Sequence, residues 1–98
     1  RATYAERRGL VVDGLQRLLG HRLELVPSAA GLHVTATFRD QTVDDQVVVA
    51  AAAEDGVAVE ALSAYAQGPG IPAGLVLGYG AAVTSSITPG LERLARLL

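Results

Sequence analysis

Between Leu32 and Phe38 the chain alternates without a break. Leu32, Val34, Ala36 and Phe38 are apolar, and His33, Thr35 and Thr37 between them are polar. Successive side chains of a strand point to opposite faces, so this pattern predicts a strand with one buried and one polar face. A half-buried strand needs strand neighbours and a layer to cover its apolar side.

The flanking sequence supplies both. Leu23 and Leu25, set among Arg22 and Glu24, predict a short alternating strand closed by Pro27, the antiparallel partner of the first. Tyr4, Val11, Leu15 and Leu18 recur at helical spacing, widened by Val12 and Leu19, which predicts an amphipathic helix from about Thr3 to Leu19. Gly20 is placed for a left-handed cap. Gly9 and Gly14 inside this helix each cost about 0.5–1 kcal/mol relative to Ala, which tertiary packing has to offset. Thr42 reads as an N-cap, with Asp44 and Asp45 as favourable charges at the start of a helix through Val47 to Ala53. That helix ends at Asp55-Gly56.

Val57 to Val59 then predict a short strand, and Leu75 to Tyr79 a last one. Glu60 to Ala73 between them reads as irregular, because Gly68-Pro69-Gly70 and Pro72 interrupt it. Ile87, Leu91, Leu94 and Leu98 share one face of a final helix, capped by Ser85 or Thr88, with Pro89 in its first turn. The order is α-β-β-α-β-β-α. It predicts an α+β, two-layer arrangement: one domain over residues 1–98, with a small mixed or antiparallel sheet of about four strands and helices packed against it.

Composition narrows the chemistry. The 98 residues include 8 basic and 10 acidic ones, a net charge of -2, and no basic run, so the chain offers no nucleic-acid surface. There is no cysteine, and His21 and His33 are far apart, so no metal site is expected. All the basic residues are Arg; without lysine the chain cannot form a Schiff base. The longest apolar run, Val47 to Ala53, falls far short of the ~20 residues of a membrane span. The charged first residues do not form a signal peptide, so a cytoplasmic protein is expected. Methionine is absent, and the chain reads as a piece of something longer.

No pattern of catalytic residues emerges. Asp44 and Asp45 are adjacent on a helix and point about 100° apart, so they read as helix N-terminal charges rather than a converging pair. Ser63 lies in no nucleophile elbow, and nothing sets an orienting carboxylate near His33. Gly68-Pro69-Gly70 and Gly78-Tyr79-Gly80 read as turns, not phosphate loops. Tyr65 reads as packing. His33, on the polar face of its strand, is either solvated or turned toward another domain.

Three segments together resemble a known pattern: Ala30-Gly31-Leu32-His33-Val34, Gly56-Val57-Ala58-Val59-Glu60-Ala61-Leu62-Ser63-Ala64-Tyr65, and Gly74-Leu75-Val76-Leu77-Gly78-Tyr79. In order and spacing they resemble the C-terminal end of MocR-type regulators, a branch of the GntR family. In that family a winged-helix DNA-binding domain is fused to an aminotransferase-like, fold-type I pyridoxal-phosphate domain. The leading Tyr4-Ala5-Glu6-Arg7-Arg8 and the closing Gly90-Leu91-Glu92-Arg93-Leu94-Ala95 fit the same register.

The resemblance implies the small C-terminal subdomain of that fold, not catalytic alone. Pyridoxal 5'-phosphate would be held by the parent's large subdomain with its lysine, and DNA by an N-terminal domain outside this chain. The expected partners are the large subdomain and a second copy of the parent. In substrate-processing relatives the last strand carries an Arg that grips a carboxylate; the register puts Val76 there, which argues for ligand sensing over transamination. Glu60-Ala61 also departs from the Pro-containing form expected before Leu62-Ser63. The resemblance brings the His33 segment to the cofactor cleft, so His33 and Val76 are the candidate ligand-facing residues. Two alternatives stand beside the regulator: the same subdomain of a true aminotransferase, and a stand-alone small-molecule-binding or dimerisation module.

Overall fold

The computed structural model describes residues 3–27, 32–66, 68–80 and 84–98. In chain order the elements are α1 (Tyr4–Leu19), β1 (Leu23–Val26), β2 (His33–Phe38), α2 (Asp45–Glu54), β3 (Glu60–Ala61), α3 (Leu62–Tyr65), β4 (Gly74–Gly78) and α4 (Thr84–Leu97). The strands form one sheet in the order β1-β2-β4-β3, and every neighbouring pair is antiparallel. This is the expected α+β architecture, with a one-turn helix added between the last two strands.

Register sorts the side chains. Leu23 lies opposite Phe38, Ala36 opposite Leu75, and Val34 opposite Leu77, so these residues share one face. On that face they meet Val11, Leu15 and Leu19 of α1, Val48 and Ala52 of α2, and Ile87, Leu91 and Leu94 of α4. Leu15, Leu19, Leu75 and Leu94 are completely or almost completely buried. Each such side chain stabilises the fold by about 1.5–3 kcal/mol relative to exposure. The other face carries Glu24, His33, Thr35, Thr37, Glu60 and Val76.

Several boundaries differ from the sequence reading. The N-cap of α2 is Asp44, whose side chain accepts the Gln46 N–H, while Thr42 donates its hydroxyl and N–H to Asp40 instead. Both residues suit a cap, and the neighbouring carboxylate decides between them. Gly20 sits at φ -60°, in the right-handed region, so its value is space: a Cβ there would run into the Gln16 carbonyl oxygen. The strand expected at Val57–Val59 falls at Glu60–Ala61. Ser85, Thr88 and Pro89 all lie inside α4, whose first described residue is Thr84. Pro89 therefore leaves the Ser85 carbonyl without its helical partner.

Candidate functional site

Two features stand apart from simple core packing. The first centres on Asp45, the one buried charged residue among those described, at 3% exposure. It opens α2, and its carboxylate reaches past the helix to two distant segments. One oxygen accepts the Ser63 hydroxyl at 2.6 Å; the other accepts the Ser63 N–H at 3.0 Å and the Gly74 N–H at 3.1 Å. Gly74 opens β4 and Ser63 belongs to α3, so one side chain ties three elements together. Burial pushes the Asp45 carboxyl up, but the bonds from the Ser63 hydroxyl and from the Gly74, Ser63 and Gln46 amides outweigh it and hold it below the ordinary aspartate range. The Ser63 hydroxyl donates to the Asp45 carboxylate and accepts from the Gln46 side-chain amide at 3.4 Å, and that carboxylate is itself held by backbone N–H groups. The arrangement is a clamp, not a nucleophile.

The second feature is a groove of about 760 Å³ at the end of the sheet. Tyr4 and Val11 of α1, Ile87 and Leu91 of α4, the stretch Gly56–Val59, and Leu77 and Gly78 of β4 enclose it. His33 and Arg93 line it beside the Tyr4 phenol, and among the described residues no acidic one lines it. At its rim Arg7 donates from Nη1 to the Gly80 carbonyl at 2.7 Å and lies 5.6 Å from the centre of the Tyr4 ring. The Arg7 Nε is buried and makes no hydrogen bond among the described residues.

The two residues singled out from the sequence part ways here. His33 is exposed, borders the groove, and lies with its ring centre 5.7 Å from that of Tyr65. Val76 is 1% exposed on the opposite face from the core, between Thr35 and Glu60 on the neighbouring strands. It does not line this groove. Tyr65, read as packing, is half-exposed beside His33. Sequence reasoning missed the role of Asp45 and Ser63 together; no spacing rule links residues 18 positions apart in different elements.

Among the described residues no group of three potential ligands could hold a metal ion, and no helix is long and apolar enough to cross a membrane.

No family model matches the chain, and no curated protein matches it significantly. Solved structures do. An archaeal alanine:glyoxylate aminotransferase superposes with a TM-score of 0.84 over 96% of this chain, at 21% identity. A Pyrococcus horikoshii kynurenine aminotransferase, in complex with PMP, with KYN as substrate and KYA as product, gives 0.82 over 96% at 20% identity. A probable N-succinyldiaminopimelate aminotransferase from Thermus thermophilus gives 0.70 over 94% at 21% identity. The fold is thus shared with a part of aminotransferases. This chain spans only 23%, 23% and 24% of those three, about a quarter of each.

Proposed function

We propose that this chain is the small subdomain of a longer aminotransferase-like protein, and that it serves ligand sensing in a regulator of the MocR type rather than transamination. The fold shared with three aminotransferases supports the first half. The second half rests on one observation. Where the resemblance expects an Arg, the sheet carries Val76, sealed at 1% exposure between Thr35 and Glu60. A valine there provides no charge for a substrate carboxylate, and the adjacent Glu60 would repel one.

The chain's own residues include no lysine to hold pyridoxal phosphate as a Schiff base, and that group would have to come from the rest of the parent. What this chain contributes is a rigid wall: the sheet face around His33 and Tyr65, held in place by the Asp45 clamp. Ligand binding would draw this wall toward the remainder of the protein, a hinge closure that biases an attached DNA-binding domain.

The same subdomain in a working aminotransferase is the second reading, favoured by the identity of all three structural neighbours. The longer protein decides between them. Purified with pyridoxal phosphate, it should convert no amino acid–keto acid pair and should bind its upstream DNA in a cofactor- or amino-acid-dependent way. Robust turnover without DNA binding would select the enzyme.

A further inference from the structure

Glu60 pairs with Val76 and Ala61 with Leu75, so a continued ladder would next set Val59 opposite Leu77 and Ala58 opposite Gly78. The ladder stops instead. Residues 57–59 belong to no strand, and the Val57 N–H turns to the Ala52 carbonyl at 2.8 Å. β4 meanwhile stays paired on its other edge: Gly78 faces His33, and the Tyr79 N–H reaches the Leu32 carbonyl at 3.0 Å.

Alternate residues of an antiparallel strand direct their N–H and C=O groups to opposite edges. The bonds of Tyr79 to Leu32 and of Phe38 to Ala73 assign the odd-numbered residues of this strand to the β2 side. Gly74, whose N–H goes to Asp45, lies on the β3 side, and so by alternation do Val76 and Gly78. Gly78 therefore aims its backbone groups into the gap from which Ala58 has diverged. The groove occupies that gap, with Leu77 and Gly78 on one wall and Val57 and Ala58 on the other.

Charge points the same way. In a chain with more acidic than basic residues, the groove contains Arg93 and no carboxylate, and Arg93 has no ion-pair partner among the described residues. A small apolar molecule would cover the floor of Val11 and Leu91 but leave the Gly78 backbone groups unmet. An extended peptide satisfies both.

We propose that this groove accepts an extended, mainly apolar peptide segment bearing a carboxylate, added to the sheet as a strand on the Gly78 edge with its carboxylate toward Arg93. The inference stands apart from the aminotransferase-like reading and survives if that reading fails. The probe is a capped five-residue peptide of alternating valine and threonine ending in glutamate, titrated into the ¹⁵N-labelled chain. The Gly78 and Ala58 amide signals should shift together, saturate, and gain protection from hydrogen exchange. N-methylating the peptide backbone, which leaves the protein untouched, should weaken binding about tenfold or more, the equivalent of one to two lost hydrogen bonds. Arg93→Gln, or glutamine for the peptide's glutamate, should weaken it severalfold. Equal binding of the N-methylated peptide would make the groove a hydrophobic pocket for small molecules and overturn the proposal. An absence of shifts at Gly78 and Ala58 up to millimolar peptide would overturn it as well.

Discussion

The Asp45 carboxylate accepts both the hydroxyl and the N–H of Ser63, at 2.6 and 3.0 Å, across 18 positions of the chain. Because the same carboxylate also accepts the Gly74 N–H, it sets the spacing between α2, α3 and the start of β4. Asp45→Ala leaves two backbone N–H groups in this region without acceptors. Each such orphan costs about 1–3 kcal/mol, so we expect a loss of about 2–6 kcal/mol in urea unfolding. Ser63→Ala removes only the hydroxyl and should cost about 1 kcal/mol. Comparable losses for the two variants would contradict the clamp.

The same group sets the response to acid. The Asp45 pKa is lower in the folded chain than in the unfolded one, so in acid the unfolded chain binds more protons. The stabilisation is complete above the unfolded aspartate value near about 4 and is lost as pH falls through the lower folded value. Asp40 acts in the same direction: the Thr42 hydroxyl and then the Thr42 N–H hold its pKa down, although it is exposed. The urea midpoint should therefore drop as the pH is lowered from about 5 to about 3. In Asp45→Asn the drop should be visibly smaller. An unchanged slope in that variant would place the acid sensitivity elsewhere.

Two glycines of α1 should respond in opposite ways. A Cβ on Gly14 would run into Cδ1 of the buried Leu91, so this glycine lets α1 and α4 approach closely. Gly14→Val should destabilise the chain by about 1–3 kcal/mol. Combining it with Leu91→Ala should cost less than the sum of the single changes. Gly9 has open space around its would-be Cβ, and Gly9→Ala should stabilise by about 0.5–1 kcal/mol. Thermal unfolding of the four variants checks the set.

Much of this fold is legible from side-chain pattern. The alternation through β2 and the stripe of Ile87, Leu91 and Leu94 on α4 each name a buried face, and the structure buries those residues. The long first helix and the strand that follows it come from the same periodicities. The region from Glu60 to Tyr65 is different. β3 has two residues and α3 four, too short for any period to register; β3 is positioned by pairing to β4 and α3 by the Asp45 bonds to Ser63. The end of β4 behaves alike: that Gly78 lacks a strand partner on its β3 side among the described residues shows only once the divergence of Ala58 is seen in three dimensions. His33 is legible as a polar-face residue; the groove beside it, built from several separate segments, is not.

The most direct measurement of the central proposal is the intact mass and absorption spectrum of the native polypeptide that contains this sequence, captured with an antibody raised against the chain. The account predicts a polypeptide about four times this length or longer, in keeping with the quarter of each structural neighbour that the chain spans. That polypeptide should contain lysine and should gain a visible band when given pyridoxal phosphate. A native protein of this length alone, with no spectral response, would contradict it.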